Sequence, residues 1–290
     1  MLELRKVLRS FTADTGMSFC AVRPRQWDEL CDEALEVLID ILMAVEREAA
    51  WPLMTTKIGF IQKRLGGVRP IAIIMVLARV QARLRRGIAR KWEEANARPY
   101  WWGAAGRSCE QAVWHQAAIG EWATQRGADS GDPEAWVAVA VLLDLLKAFE
   151  QVRHHWLLDA AIATGFPLWQ LKLTLELYCA PRVLCMGSAA SSVIEARQSI
   201  LPGDGFATAL LKLILIGPLD RLVVQHPTVA LAVVVDDLML HRVGGLMRVT
   251  KEVAEAAFQL KTLLLDVDLL PRRDGQRGVR QGHARAVREA

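Results

Sequence analysis

The chain has 290 residues, of which 52% are hydrophobic and 23% charged, so it can form one or two folded domains and is not intrinsically disordered. Its net charge is only +4, and charged residues interrupt the three longest apolar segments, which excludes a predicted membrane span. The first ten residues lack a signal-peptide pattern, and the five cysteines form no Cys-x-x-Cys pair and no zinc-type spacing. We therefore expect an intracellular protein with free thiols that is not secreted, and a nuclear one if its host is a eukaryote.

The first predicted element is an amphipathic helix. Apolar residues recur at helical spacing from Leu30 to Val45, acidic residues lie between them, and Pro52 marks the end of the pattern. We interpret residues 1–56 as a helical scaffold.

Residues 57–71 predict a β-hairpin with a basic turn. Two short apolar runs flank Gly66-Gly67, and Pro70 confines the second strand to the edge of a sheet. The hairpin begins a basic segment, because residues 57–98 contain eleven Lys or Arg against two Glu, a local charge of +9. Such a cluster is typical of a surface that contacts a phosphate backbone. For residues 79–91 alone, an ordinary solvated helix face is an equally good interpretation.

A helix is predicted from Met75 to Ala95, and two adjacent tryptophans, Trp101 and Trp102, follow it. The tryptophans either pack in the core or stack on the bases of a bound nucleic acid, and packing is the commoner role of such a pair.

Ser108 and Gln111 have the spacing of a capping box, which predicts a helix that reaches Arg126. Residues 127–133 are rich in Gly, Asp and Ser and are predicted to form a loop.

Further along, Gly165 and Pro167 are predicted to end one helix and begin another. Apolar alternation then predicts two strands, one at residues 183–187 and one at residues 193–194. The almost continuous apolar run of residues 206–224 predicts a helix that packs beneath a sheet.

Two apolar runs end in carboxylates. Residues 136–143 predict a buried strand that ends at Asp144, and residues 228–235 predict another that is followed at once by Asp236 and Asp237. Two such strands side by side would bring their acids together, the arrangement that holds a pair of Mg²⁺ ions for nucleotidyl transfer. The alternative is that Asp236 and Asp237 form only a solvated turn, because Asp bonds nearby backbone N–H groups.

Three motifs in this order resemble those of the reverse transcriptases, in particular those of non-LTR retrotransposons and group II introns. The resemblance covers residues 57–270, most of the chain. The motifs are Asp144-Leu145-Leu146-Lys147-Ala148-Phe149-Glu150 with His154, His155 and Leu157 after it, Gln198-Ser199-Ile200-Leu201-Pro202-Gly203-Asp204, and Val234-Val235-Asp236-Asp237.

The resemblance implies an RNA-directed DNA polymerase with a two-metal site. The implied ligands of two Mg²⁺ ions, for which Mn²⁺ is a substitute, are Asp144, the backbone carbonyl of Leu145, Asp236 and Asp237. The implied partners are an RNA template, a DNA primer and a dNTP, within a retrotransposon-like element.

Further positions match the family's nucleotide-binding residues. Lys63 and Arg69 match side chains that approach the triphosphate, a task that suits the planar fork of arginine. Phe149 matches the steric gate that excludes a ribose 2′-hydroxyl, although an ordinary core phenylalanine is the alternative. Gln198 opens the motif that lies under the incoming nucleotide, and Leu145 is also among the implied nucleotide-binding residues.

The expected fold is therefore α+β, a right-hand polymerase with fingers and a palm whose antiparallel sheet packs on helices, and with the thumb largely absent. The predicted ranges are an N-terminal helical scaffold at 1–56, fingers at 57–135, a palm at 136–266 and a basic flexible tail at 267–290. No endonuclease or ribonuclease H pattern is present, and the sequence does not indicate an oligomeric state.

Three positions depart from the family's motifs. Ser199 replaces a glycine that allows close backbone approach, Val234 replaces an aromatic residue, and Glu150 replaces an aspartate. Glu150 keeps the charge of the residue that it replaces, whereas Ser199, Val234 and the missing thumb favour an alternative, an inactive and truncated relic that binds nucleic acid without synthesis. A third interpretation is a helical interaction protein whose acids are surface turns, which predicts that Asp144 lies far from Asp236.

Overall fold

The computed structural model describes residues 1–52, 54–64, 66–104, 106–132 and 135–269. The chain forms two compact units, the first containing Met1–Asn96 and Phe149–Leu213, the second containing Ala97–Ala148 and the chain from Ile214 onward. Each unit contains helices and a sheet, so the α+β composition expected from the sequence is confirmed. The units cut across the four predicted ranges, which stay a prediction, and the predicted tail lies outside the described residues from position 270 onward.

The regular elements follow one another in a mixed order. The helices are α1 (Leu2–Arg9), α2 (Asp32–Glu48), α3 (Val76–Leu84), α4 (Arg86–Ala95), α5 (Cys109–Ser130), α6 (Ala148–Gln151), α7 (His154–Thr164), α8 (Leu168–Cys179), α9 (Ala207–Gln225) and α10 (Leu246–Leu265), with a short 3-10 helix at Pro24–Glu29. The strands are β1 (Thr56–Gln62), β2 (Val68–Ile73), β3 (Val137–Asp144), β4 (Arg182–Met186), β5 (Ala189–Ala190), β6 (Ala230–Val234) and β7 (Asp237–Gly244).

A helical core fills the N-terminal part of the first unit. Leu8 of α1, Leu35 of α2 and Val80 of α3 are fully buried and belong to one apolar cluster. The buried face of α2 repeats at the spacing that the sequence predicts, at Leu35, Leu38, Leu42 and Val45. The predicted scaffold helix is therefore confirmed.

The sheet of the first unit has the strand order β2-β1-β4-β5. The β1–β2 hairpin is antiparallel, with Gln62 opposite Val68 at the turn, and β1 pairs with β4 in parallel. Strand β2 lies at the edge, as predicted from Pro70, because proline has no N–H to donate to a second neighbour.

The single helix predicted from Met75 to Ala95 is wrong. The chain forms α3 and α4 instead, and it leaves the helical conformation at Arg85, where φ is −98° and ψ is 6°. The Arg85 guanidinium donates two hydrogen bonds to the Glu46 carboxylate, of 2.7 and 2.5 Å. This tertiary ion pair lies at the break, whereas the apolar pattern that predicted the helix continues through it.

The second predicted strand before Gln198 is also displaced. The chain turns at Gly187, which has a φ of 60°, and pairs as β5 at Ala189–Ala190. Ile194 forms only an isolated bridge, exchanging two backbone hydrogen bonds of 2.8 Å with Arg182. The alternation of Val193 and Ile194 therefore marks one paired residue and not a strand.

The second unit is built on an antiparallel sheet with the order β3-β7-β6. Helix α10 packs on β3 and β7, and α5 packs on β3. Val139 and Leu143 of β3 are buried, as are Leu238 and Leu240 of β7, which is the alternation expected of a strand with one core-facing side. Both apolar runs predicted to be strands are confirmed.

Helix α5 begins with the predicted capping box. The Ser108 hydroxyl accepts a hydrogen bond from the Gln111 N–H, and the Gln111 side chain accepts one from the Ser108 N–H. The loop predicted at 127–133 is wrong for its first part, because the helix continues to Ser130 and ends at Gly131, which has a φ of 71°. Gly127 is buried on the packed face of the helix, so it serves packing and not a turn.

Helix α9 contains residues of both units and is buried along most of its length, which confirms the apolar helix predicted there. In the part of the chain that the structure describes, no helix, α9 included, combines the length and the apolar character needed to cross a bilayer.

Substitutions at two glycines test the packing, and we expect them to have opposite effects on stability. We expect Gly203→Ala to lower the free energy of unfolding by about 1–3 kcal/mol, because a Cβ there would lie 2.9 Å from the Ala72 carbonyl oxygen and φ is +111°. We expect Gly120→Ala, in the middle of α5 with no heavy atom within 4 Å, to raise it by about 0.5–1 kcal/mol. Urea unfolding of the two variants measures both changes, and a stabilised Gly203→Ala protein would contradict the described loop.

Candidate active site

The three predicted metal ligands Asp144, Asp236 and Asp237 come together in the second unit. Strands β3 and β7 pair antiparallel with Asp144 directly opposite Asp237, and Asp236 precedes Asp237 in the turn that joins β6 to β7. Residues directly opposite each other project to the same face of a sheet, with Cβ atoms about 4.5–5.5 Å apart. The interpretation that Asp144 and Asp236 occupy unrelated surface turns is therefore wrong.

The turn that carries Asp236 is strained. Val234 pairs with Asp237, so Val235 and Asp236 form a two-residue hairpin loop. Val235 has a φ of 59°, a region in which a β-branched side chain clashes with its own backbone and which costs about 1–3 kcal/mol. Hairpins of this kind normally place glycine or asparagine at such a position. The strained residue is therefore the direct neighbour of Asp236.

The acids also disturb one another electrostatically. Partial burial of the carboxyl raises the pKa of Asp237, and the negative charges of Asp236 and Asp144 raise it further. Like charges held together in this way are relieved by a proton or by a bound cation. A proton or a cation beside Asp237 would therefore stabilise this group of charges.

A segment that begins at Tyr100 covers the outer edge of β6. The Val233 N–H donates to the Tyr100 carbonyl and the Trp102 N–H donates to the Val233 carbonyl, each at 2.8 Å. Gly103 follows, and a Cβ at Gly103 would be 3.5 Å from the Val235 backbone nitrogen. This segment supports the strand that leads into the acidic turn.

An ion-pair network holds that segment in place. The Arg98 guanidinium donates to both carboxylate oxygens of Asp220 on α9, and the Tyr100 hydroxyl donates to Asp220 Oδ1 at 2.8 Å. Burial raises the pKa of Tyr100, and the Asp220 carboxylate raises it further, so the phenol keeps its proton and remains a donor. The sequence analysis missed this network, because Arg98 and Asp220 are 122 positions apart and belong to no local pattern.

The two adjacent tryptophans, Trp101 and Trp102, have different surroundings. Trp101 is buried, which confirms packing for that residue. Trp102 is half-buried, with its ring centroid 5.1 Å from that of His115 and the Arg107 guanidinium 5.3 Å from its centre. Its ring therefore already has an aromatic and a cationic neighbour.

A buried histidine of β7 was also missed. His241 lies three residues beyond Leu238, and its Nδ1 forms a 3.0 Å hydrogen bond with the Gln116 amide of α5. Burial lowers its pKa to about 4, with a smaller contribution from the charge of His115, so the ring is neutral at physiological pH. The sequence signal for such a residue is a lone polar side chain that directly follows the apolar residues 238–240 of the strand.

The donor set at the acidic turn suits a hard divalent cation, because carboxylate and carbonyl oxygens are the preferred ligands of Mg²⁺. Asp144, Asp236 and Asp237 carry carboxylates, and Leu145, whose carbonyl stays a predicted ligand, directly follows β3. Within the described ranges, however, no three His, Cys, Asp or Glu side chains are grouped so as to hold a metal ion.

Of the predicted nucleotide-binding residues, Lys63, Arg69, Phe149 and Gln198 lie in the first unit, whereas Leu145 lies in the second. Lys63 and Arg69 are exposed on the β1–β2 hairpin, where the Lys63 N–H donates to the Gly67 carbonyl at 3.0 Å and Arg69 pairs with Ile61. Their positive side chains therefore lie at a solvent-accessible turn.

Two predicted motifs meet beside α6 in the first unit. The Ile200 N–H donates to the Phe149 carbonyl at 2.7 Å, and the Ser199 N–H donates to the Val152 carbonyl at 2.8 Å. The Gln198 amide donates to the Glu150 carbonyl at 3.3 Å. The half-buried Phe149 and the exposed Gln198 are thus held close to each other by main-chain pairing.

Ser199 occupies a position that glycine would fill more easily. Its φ is 101°, its side chain is buried, and its hydroxyl accepts a 2.8 Å hydrogen bond from the Arg182 guanidinium. The backbone conformation is thus one that the family's glycine adopts freely, and the serine hydroxyl has a partner of its own.

Comparison with known proteins identifies no family for this chain. No protein-family model matches the chain, and no curated protein is significantly similar to it.

Replacing Val235 tests the strained turn. We expect Val235→Gly to raise the free energy of unfolding by about 1 kcal/mol, because glycine adopts a φ of 59° without a clash. Val234→Gly is the matched control, since it removes the same side chain from a strand residue without positive φ and should destabilise the protein. Equal destabilisation by both substitutions would show that the turn is not strained.

Replacing Asp237 tests the electrostatic repulsion. A raised pKa means that the folded state binds the proton more tightly than the unfolded state, so ionised Asp237 destabilises the fold above its folded pKa. Asp237→Asn should therefore stabilise the protein at pH 8, with a gain that shrinks as the pH falls toward about 4. Urea unfolding across this range measures the gain, and Asp129→Asn, at an exposed position of α5, should show no comparable trend. A destabilised Asp237→Asn protein at pH 8 would contradict the assigned repulsion.

Proposed function

We propose that the chain is a reverse-transcriptase-like nucleotidyltransferase of a retrotransposon-like element, which adds dNTPs to the 3′-hydroxyl of a DNA primer on an RNA template. The observation that carries this proposal is the direct opposition of Asp144 and Asp237 across an antiparallel pair, with Asp236 in the adjoining turn. Neighbouring carboxylates repel one another unless a proton or a cation offsets their charge. An enzyme that catalyses nucleotidyl transfer would use such carboxylates to hold its metal ions.

Asp144, Asp236 and Asp237, with the Leu145 carbonyl, would hold the two Mg²⁺ ions of this reaction, for which Mn²⁺ is a substitute. When bound, these ions promote ionisation of the attacking hydroxyl and offset the charge that develops on pyrophosphate. Burial and then the charges of Asp236 and Asp144 raise the pKa of Asp237, and an adjacent cation would relieve the repulsive part of this effect.

The remaining residues would bind and orient the nucleotide. Lys63 and Arg69, exposed on the hairpin, would contact triphosphate oxygens, and the planar guanidinium can bond two of them at once. Phe149 would lie under the sugar and exclude a 2′-hydroxyl, with the Gln198 segment fixed beside it by main-chain hydrogen bonds. These roles come from the family resemblance.

A second candidate is a relic that binds nucleic acid and no longer synthesises DNA. The departures at Ser199 and Val234 and the absence of a three-ligand metal group within the described residues favour it. The basic segment of residues 57–98 would serve both candidates, because binding to a phosphate backbone needs no catalysis.

Primer extension on an RNA template with dNTPs and Mg²⁺ separates the candidates. For an active polymerase, the Asp236→Ala, Asp237→Ala double variant should lose extension by a factor of about 10² or more while it retains template binding. Wild-type protein that binds the template and does not extend the primer would favour the relic. Protein that neither binds nor extends would exclude both candidates.

The sugar of the incoming nucleotide gives an independent test of the site. Phe149→Val should increase incorporation of ribonucleotides relative to deoxynucleotides, because the smaller side chain leaves room for a 2′-hydroxyl. The measured quantity is the ratio of kcat/KM for a dNTP and the matching rNTP. An unchanged ratio in an active protein would assign Phe149 to packing alone.

A further inference from the structure

A cavity of about 290 Å³ lies within the first unit. Its volume is at the lower end of the range for small-molecule sites, which is enough for an anion of a few heavy atoms. Its walls come from the N-terminal segment, the end of β2, helix α3 and the loop before α9, through Phe11, Thr15, Ile74, Arg79, Ala82, Arg83, Gly203, Asp204 and Gly205.

Two arginines of α3 give the cavity its charge. Arg79 and Arg83 are four residues apart, so their side chains leave the same face of the helix. Arg79 Nη1 donates to the Gly16 carbonyl and Arg83 Nη1 donates to the Ser10 hydroxyl, both at 2.7 Å. Each guanidinium carries five N–H donors, so these bonds orient the groups and leave further donors for a ligand.

Arg79 and Arg83 differ from the neighbouring arginines in their ion pairing. Within the described residues, no Asp or Glu oxygen lies within ion-pair distance of Arg79 or Arg83, whereas neighbouring Arg85 pairs with Glu46 and Arg90 with Glu94. Burial lowers the pKa of both cavity arginines; the charge of Arg83 lowers that of Arg79 further, against a smaller opposing effect of Cys20, and the charge of Arg86 lowers that of Arg83. An anion between the Arg79 and Arg83 guanidinium groups would offset their positive charge.

Asp204, the acid among the lining residues, already accepts hydrogen bonds from the protein. Asp204 accepts a 2.7 Å hydrogen bond from the Tyr178 hydroxyl and a 3.3 Å bond from the Phe206 N–H. Burial raises its pKa to about 6, so the carboxylate is largely ionised at pH 7.5, where its Oδ2 accepts both of these hydrogen bonds. Gly205 brings this loop close to α3, since a Cβ there would lie 3.0 Å from the Ala82 Cβ.

We propose that this cavity is a phosphate-binding site, in which Arg79 and Arg83 bind a phosphate that is either free or the terminal group of a phosphorylated molecule. Two guanidinium groups match the charge of a phosphate dianion, and the planar fork of arginine bonds two of its oxygens at once. The stacking of the Arg83 guanidinium 3.7 Å from the centre of the Phe11 ring fixes the plane of that fork. The inference is independent of the proposed polymerase activity, because it involves none of the carboxylates assigned to catalysis.

The first test is isothermal titration of the full chain with inorganic phosphate at constant ionic strength and pH 7.5. We expect saturable binding of one phosphate, at least tenfold weaker binding in the Arg79→Gln, Arg83→Gln double variant, and unchanged binding in Arg90→Gln. Arg90 is a matched control because it is exposed and paired with Glu94 outside the cavity. An absence of saturable binding by the wild-type chain, or equal binding by the double variant, would overturn the proposal.

A second variant separates loss of binding from loss of folding. Because Arg79 and Arg83 also anchor the N-terminal segment, the double variant must show the wild-type circular dichroism spectrum for its result to count. Thr15→Trp fills the cavity without removing either arginine, and we expect it to weaken phosphate binding at least tenfold as well. Undiminished binding in a folded Thr15→Trp protein would place the phosphate outside the cavity and contradict the assignment.

Competition identifies the source of the phosphate. A 5′-phosphorylated dinucleotide that displaces inorganic phosphate, when its 5′-hydroxyl counterpart does not, would assign the site to the terminal phosphate of a nucleic acid. Displacement by neither, with inorganic phosphate still bound, would assign the site to free phosphate. Equal displacement by both would show that the bases and not the phosphate are recognised, which overturns the proposal.

Discussion

The antiparallel register of β3 and β7 determines the candidate site. It places Asp144 opposite Asp237 over a ladder that runs from Val137 to Gly244. Because side chains alternate between the two faces of a strand, a slip of one residue would turn buried Leu238 and Leu240 away from the core. The apolar faces that pack on α10 and α5 therefore fix the register, and the register in turn brings the acids together.

The acidic turn combines two unfavourable features, a valine at positive φ and a group of like charges. Both persist because the surrounding structure holds them. Strand β6 is paired on one side with β7 and on the other with the Tyr100–Trp102 segment, which Arg98 and Tyr100 tie to Asp220. Strain that is enforced by well-packed neighbours is typical of functional positions. The same strain would remain in a relic whose catalysis has been lost.

The basic segment shows how tertiary contacts give different roles to similar residues. Arg85 has an acidic partner in Glu46, and the helix is interrupted where it pairs. Arg79 and Arg83 instead line a cavity and bond only to a backbone carbonyl and a hydroxyl. Sequence analysis counted these residues together as one positively charged surface. Their separate environments follow from which elements pack against each face of α3.

The sequence by itself determined most of the strands, most of the helices and the three carboxylates of the candidate site. Apolar periodicity and capping signals are local, so the scaffold helix, the β1–β2 hairpin, the capping box of α5 and the two strands that end in acids were all predictable. Only the tertiary structure decided the break at Arg85, the extension of α5 to Ser130 and the network of Arg98, Tyr100 and Asp220. These features depend on contacts between residues far apart in the chain, and no local pattern encodes such contacts.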